Sequence, residues 1–164
     1  MSKWIQIVPL LLLISLLSAC GDDKGKLFQD VERQKDSGDS YSFVNSESEI
    51  TAESADCKFS RFSGIYTVWE ITSTAEAETK LRISGSTKAD KFKIIQVDEN
   101  KELTVLWEGG EEKELDLKLP QGKSAIKFVG NKGSGKVHMD LEPQTGMEVN
   151  VTDDMFEGDP FFND

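Results

Sequence analysis

Apolar and polar residues alternate along most of this chain with a period of two, the spacing that turns one face of a strand to a core and the other to water. In GIYTVWEIT, Ile65, Thr67, Trp69 and Ile71 share a side, and in TKLRIS Leu81 and Ile83 do. ELTVLWE places Leu103, Val105 and Trp107 together, and ELDLKLP places Leu115, Leu117 and Leu119 together. SAIKFV gives Ile126 and Phe128, KVHMDLE gives Val137, Met139 and Leu141, and MEVNV gives Met147, Val149 and Val151. KFKIIQV changes phase, from Phe92 and Ile94 to Ile95 and Val97, which predicts a bulge or a strand buried on both faces. The intervening SGST, DENK, EGGEE, PQGK, GNKGSG and EPQTG are turn chemistries. About eight short strands at near-regular spacing predict an all-β fold, a single antiparallel β-sandwich of jelly-roll or immunoglobulin-like kind over 57–152.

The first 19 residues follow a different rule. Lys3 precedes an apolar run from Ile5 to Leu17, and the small residues Ser18 and Ala19 follow, the organisation of a secretory signal peptide. Thirteen residues are short for a hydrocarbon core of about 30 Å. Leu17-Ser18-Ala19-Cys20 resembles the lipobox of bacterial lipoproteins. That resemblance implies cleavage between Ala19 and Cys20, a diacylglyceryl thioether on Cys20, and a mature protein held on a membrane of the bacterial cell envelope, facing outside the cytoplasm. Two or three acyl chains give durable anchoring where one does not.

Residues 21–56 hold ten acidic and four basic residues among many serines. So little apolar surface predicts a disordered tether over 20–56, with at most a helical turn around KLFQDVERQK. The segment from Asp153, DDMFEGDPFFND, is acidic with spaced phenylalanines and is expected to be a disordered tail.

The whole chain has a formal net charge of −11. Without residues 1–19 it carries 18 basic and 30 acidic residues, a net −12. This balance excludes nucleic-acid binding, which needs clustered cations. It also weighs against a domain lying flat on an anionic lipid surface, and it suits solubility or a cationic protein or peptide partner. With Cys20 acylated, Cys57 is the remaining cysteine, so neither an internal disulfide nor a thiolate metal cluster is expected. Cys57 itself reads as a small buried hydrophobe.

GNKGSGKV, Gly130–Val137, matches a phosphate-binding P-loop up to its last letter. The hydroxyl that would hold Mg²⁺ is replaced by Val137, and VHMDLEP continues with strand spacing rather than a helix. No nucleotide is expected, and GNKGSG reads as a hairpin loop. The stretch LPQGKSAIKFVGNKGSGKVHMDLEP is similar to the closing hairpin of small extracellular β-sandwich modules of the prepeptidase C-terminal type. The matching positions are Leu119, Gly122, Ile126, Phe128, Gly130, Gly135, Val137, Met139 and Leu141. The resemblance implies a non-catalytic accessory module; the aspartate-rich strand of such domains is missing, so no calcium site is carried over.

Candidate chemistry is sparse. His138 is the sole histidine, placed opposite Val137 and Met139 and therefore exposed. The acidic pairs Glu111-Glu112 and Asp153-Asp154 would serve glycoside hydrolysis if two carboxyls shared a cleft. Trp69 and Trp107 would make a sugar-stacking platform if exposed, but their phase places them in the core. The expectation is a non-enzymatic binding or accessory module without metal or cofactor. A carbohydrate or cell-wall binding module is the alternative, and a hydrolase ranks third.

Overall fold

The computed structural model describes residues 23–152. The apolar leader, Ala19, Cys20 and the acidic tail lie outside the described residues. The architecture is all-β and antiparallel throughout. Its strands are β1 (Ser40–Ser42), β2 (Asn45–Ile50), β3 (Ser54–Ser73), β4 (Ala77–Gly85), β5 (Phe92–Asp98), β6 (Leu103–Trp107), β7 (Lys113–Leu119), β8 (Gly122–Leu141) and β9 (Met147–Val151).

Two of these strands, β3 and β8, are 20 residues long and pair from end to end. They bend together near their middles, and the bend makes two layers out of one continuous sheet. One layer runs β2, the first half of β3, the second half of β8, β4, β7. The other runs β1 and β9 beside the second half of β3, then the first half of β8, β5, β6. Their facing sides form the sandwich core.

The bend is where GNKGSG lies, and it corrects the hairpin expectation. Gly130–Gly135 do not reverse the chain; they are the middle of β8. The pairing slips between Phe59 and Phe62 and again between Phe62 and Gly64, and such bulges let a strand turn a corner. The slip also explains why inward residues change parity along β8, from Ile126 and Phe128 to Val137 and Met139. Gly130 is required for contact rather than for turning. A Cβ there would stand 2.3 Å from the Phe62 ring. Inside the bend Phe92 packs tilted against Phe59 and edge-on against Phe128, at centroid distances of 4.9 Å and 5.1 Å, typical of favourable aromatic pairs.

Further slips relocate side chains that strict alternation misplaces. One between Thr67 and Trp69 leaves Trp69 and Ile71 in the main core while Ile65 joins a second cluster on the opposite face. One between Ile94 and Ile95 brings Leu106 and Trp107 inward, while Val105 stays 41% exposed. Strand β5 thus has both features its phase change allowed, a bulge and burial on two faces.

The second cluster, Ile65, Ile95, Val97 and Val129, needs a cover, and the expected tether supplies it. A 3-10 turn (Asp23–Phe28) and a short helix α1 (Val31–Gln34) lie over this outer face, with Phe28 buried in it. The buried Lys127 rises from β8 into the same layer, and its Nζ donates to the carbonyls of Gln34, at 3.3 Å, and Asp36. Strands β1 and β2, also within the expected tether, pair with β3. Composition misleads here because ladder hydrogen bonds require few apolar side chains, and one phenylalanine suffices to close a small cluster.

Candidate functional site

Strands β6 and β7 are consecutive, yet they do not pair. β6 bonds to β5 in one layer and β7 to β4 in the other. The EGGEE turn therefore carries the chain across the sandwich, and both strands become edges facing each other over an open side. Gly109 fits this crossing because its φ of +86 is a glycine conformation and a Cβ would meet the Thr87 carbonyl at 2.7 Å. Glu111 and Glu112 are exposed in this turn, and the Glu111 carbonyl accepts from the Trp107 indole at 3.1 Å.

The open side is a groove of about 730 Å³. Its floor is apolar, from Leu106, Leu117 and Leu119, and Val105 stands in its wall. Two bonds hold the layers apart at a set width. Lys113 Nζ donates to the Leu106 carbonyl at 2.9 Å, and Gln96 Nε2 donates to the Lys118 carbonyl at 2.7 Å. Around the groove stand the acidic residues Glu76, Glu78, Asp98, Glu102 and Asp116, the last ion-paired with Lys80, and the basic residues Lys113 and Lys118. A concave surface with apolar floor, free strand edges and a predominance of one charge can take an extended segment of opposite charge.

His138 lies elsewhere, on the outer face of the layer that holds β4 and β7. Nδ1 is 2.8 Å from Asp56 and Nε2 is 3.0 Å from Asp140. The side chain is 42% exposed, in line with its phase. Two carboxylates each demand a donor, and only the protonated ring has two N–H groups. Partial burial works against the charge, but the bonds to Asp56 and Asp140 outweigh it, and the pKa rises above 6.5. A ring so occupied has no free nitrogen to act as a base, which weakens the hydrolase reading. Asp140 was legible two residues along the same strand; Asp56 came only with the register between β3 and β8.

The expected consequence is measurable. A raised folded pKa stabilises the fold fully below 6.5, and the contribution disappears as pH rises through the folded value. Both acids are well exposed, so the effect on stability is small. By NMR, His138 will titrate above 6.5, and Asp56→Asn will bring the midpoint back toward 6.5. A midpoint already at 6.5 in the wild type would show that the clamp does not hold in solution.

The remaining candidates are now placed. Trp69 and Trp107 are 0% and 4% exposed, so neither is a stacking platform. Cys57 is buried, and burial, with Asp56 beside it, pushes the thiol up to about 12; a thiol so protonated is a poor nucleophile. Among the described residues no three His, Cys, Asp or Glu side chains are grouped to hold a metal ion. Cys20, Ala19 and Asp153-Asp154 lie outside the described residues.

The sequence matches no protein-family model, and no curated protein matches it. Among solved structures the chain is similar to a family 35 carbohydrate-binding module from an environmental isolate, at a TM-score of 0.35 and 10% identity over 69% of this chain and 82% of that one. It is similar also to an exo-β-1,3-galactanase from Phanerochaete chrysosporium crystallised with galactose, at a TM-score of 0.35 and 9% identity over 65% of this chain and 30% of that one. Likenesses of this degree lend the chain neither a ligand nor a reaction.

Proposed function

We propose that this chain is a lipid-anchored, extracytoplasmic binding module that receives an extended cationic segment of a protein partner in the groove between β6 and β7. The lipobox-like Leu17–Cys20 supports the anchor. The groove supports the ligand class: two unpaired strand edges offer backbone hydrogen bonds, and its acidic residues outnumber Lys113 and Lys118 even with Asp116 paired to Lys80, which favours positive charge. Nothing in this role requires a bond to be made or broken.

Charge reversal tests it. The partner is captured by crosslinking in cells, and its affinity is then measured for the wild type and for Glu78→Lys/Glu102→Lys. These side chains are exposed, so the fold will persist. The double variant is expected to bind at least about tenfold more weakly, with a shallower salt dependence. Affinity indifferent to both salt and charge reversal would refute the groove. Fatty-acid labelling of the wild type and of Cys20→Ala tests the anchor separately; equal label in both would refute it.

A further inference from the structure

The net charge conceals a segregation. From Cys57 to Trp69 the sequence holds Lys58 and Arg61 and no carboxylate; from Pro120 to Met139 it holds Lys123, Lys127, Lys132 and Lys136 and again none. These stretches contain the bends of β3 and β8, so folding brings Lys58, Arg61, Lys132 and Lys136 to one end of the sandwich, whereas Lys123 pairs with Thr72 at the far end and Lys127 is buried. Further lysines arrive at the bend. The Lys91 carbonyl accepts from the Asn131 amide at 2.9 Å, and Lys93 Nζ lies 5.0 Å from the centre of the Phe28 ring. Gly25, flanked by Lys24 and Lys26, lies so close to Asn131 that a Cβ would stand 2.8 Å from its Oδ1. Acids stand among this group too: Asp23 and Asp90 adjoin its lysines along the chain, Glu108 acts on Lys93, and Glu47 faces Lys58 across the ladder.

The backbone at the bend is shaped around two of these cations. Arg61 and Lys132 both have φ of 55, a left-handed conformation that glycine or asparagine adopts more readily. Reciprocal bonds hold them there: the Arg61 amide donates to Ser134 Oγ at 2.9 Å and the Lys132 amide to Ser63 Oγ at 3.0 Å. Long cations kept where glycine would be less strained point to a use for their charge.

We propose that this basic end is a docking face for anionic phospholipid headgroups, and that it orients the domain with its acidic groove away from the membrane. The inference rests on the lipid-anchor reading of Cys20. The described chain starts at Asp23, at this same end, three residues after Cys20. Three residues reach about 10 Å at most, comparable with the distance over which a charged leaflet acts in physiological salt, about 8 Å. The domain is therefore held against the surface rather than floated above it. Net charge argued against a lipid-facing surface; the placement of charge reverses that for this end alone.

The experiment uses the acylated full chain reconstituted in phosphatidylcholine vesicles, with and without phosphatidylglycerol. Amines are acetylated and quantified residue by residue. Phosphatidylglycerol is expected to lower modification of Lys91, Lys93 and Lys132 by about threefold or more, reversibly with salt. Lys80 and Lys118, on β4 and β7, will not change. Equal modification in both vesicles overturns the proposal. A second arm separates it from the anchor. The Cys20→Ala chain without residues 1–19, which keeps every described residue, is sedimented with anionic vesicles. Salt-sensitive association that Lys91→Gln/Lys132→Gln reduces supports the basic face even if Cys20 carries no lipid; no association, or association indifferent to this change, overturns it.

Discussion

Gly64→Ala will unfold the domain at a temperature about 15 °C below the wild type, equivalent to about 4 kcal/mol for a domain of this size. Two effects act together. Gly64 has φ of +112, outside the range an L side chain adopts, and its Cβ would stand 2.0 Å from the Ser40 carbonyl oxygen. The obstructing atom is backbone in β1, which pairs with β3 at this point, so relief requires β1 to leave the sheet. Gly110→Ala isolates the conformational part, because Gly110 has φ of +92 with nothing within 4 Å of the added carbon. That variant will lose only about 1–2 kcal/mol. Thermal unfolding followed by circular dichroism compares the two. Equal losses would mean that β1 does not approach Gly64 as closely as described.

The second large effect is expected at Lys127. This side chain is 2% exposed, and burial lowers its pKa from the ordinary lysine range, with Asp39, Asp36 and Glu70 pulling it back. Its ammonium closes the chain end of α1 by donating to two carbonyls, Gln34 and Asp36. Lys127→Met keeps much of the volume and removes the donors, leaving those carbonyls without a charged partner. The loss will be about 2–3 kcal/mol. It will be local: amide exchange will accelerate over residues 27–39 and hardly change in β4 and β7, which Lys127 does not touch. Uniform acceleration across both layers would refute the view that this lysine pins the N-terminal cover to the sandwich.

The two variants bracket the part of the fold that was hardest to read. Residues 23–50 carry few apolar groups, and the same composition would suit a chain that stays in solvent. A clue was nevertheless present in β5. Three apolar residues in four consecutive positions, Ile94, Ile95 and Val97 around Gln96, cannot all face one core, and a strand buried on both faces demands a second cover. The segment holding Phe28 supplies that cover. What no pattern revealed was Lys127 as the partner of that cover, because a lysine in a strand reads as a solvent position.

The groove shows a similar division. Its residues are visible in sequence as ends of predicted strands and as acidic turn residues, although alternation turns Val105 inward where the fold leaves it 41% exposed. Its existence depends on β6 and β7 joining different layers, and neighbouring strands joined by a short turn ordinarily pair. The layer change comes from the EGGEE crossing between β6 and β7, which period-two counting does not register. The clamp on His138 divides likewise, into Asp140 on its own strand and Asp56 from across the ladder.

By itself the sequence determined the secondary-structure class, the inward positions of β4, β7 and β8, the burial of Trp69, Trp107 and Cys57, and the exposure of His138. Cys57 follows from the habit of a free cysteine as a small buried hydrophobe; the others follow from local alternation, because neighbours along a strand face opposite sides whatever the strand pairs with. Tertiary structure alone decided that GNKGSG is a bend, that the acidic segment after Cys20 is a layer, and that positive charge gathers at one end of a negative protein. Those outcomes depend on which residues meet across the ladder. Register is a property of two strands at once, and a one-residue slip in either redirects every side chain beyond it.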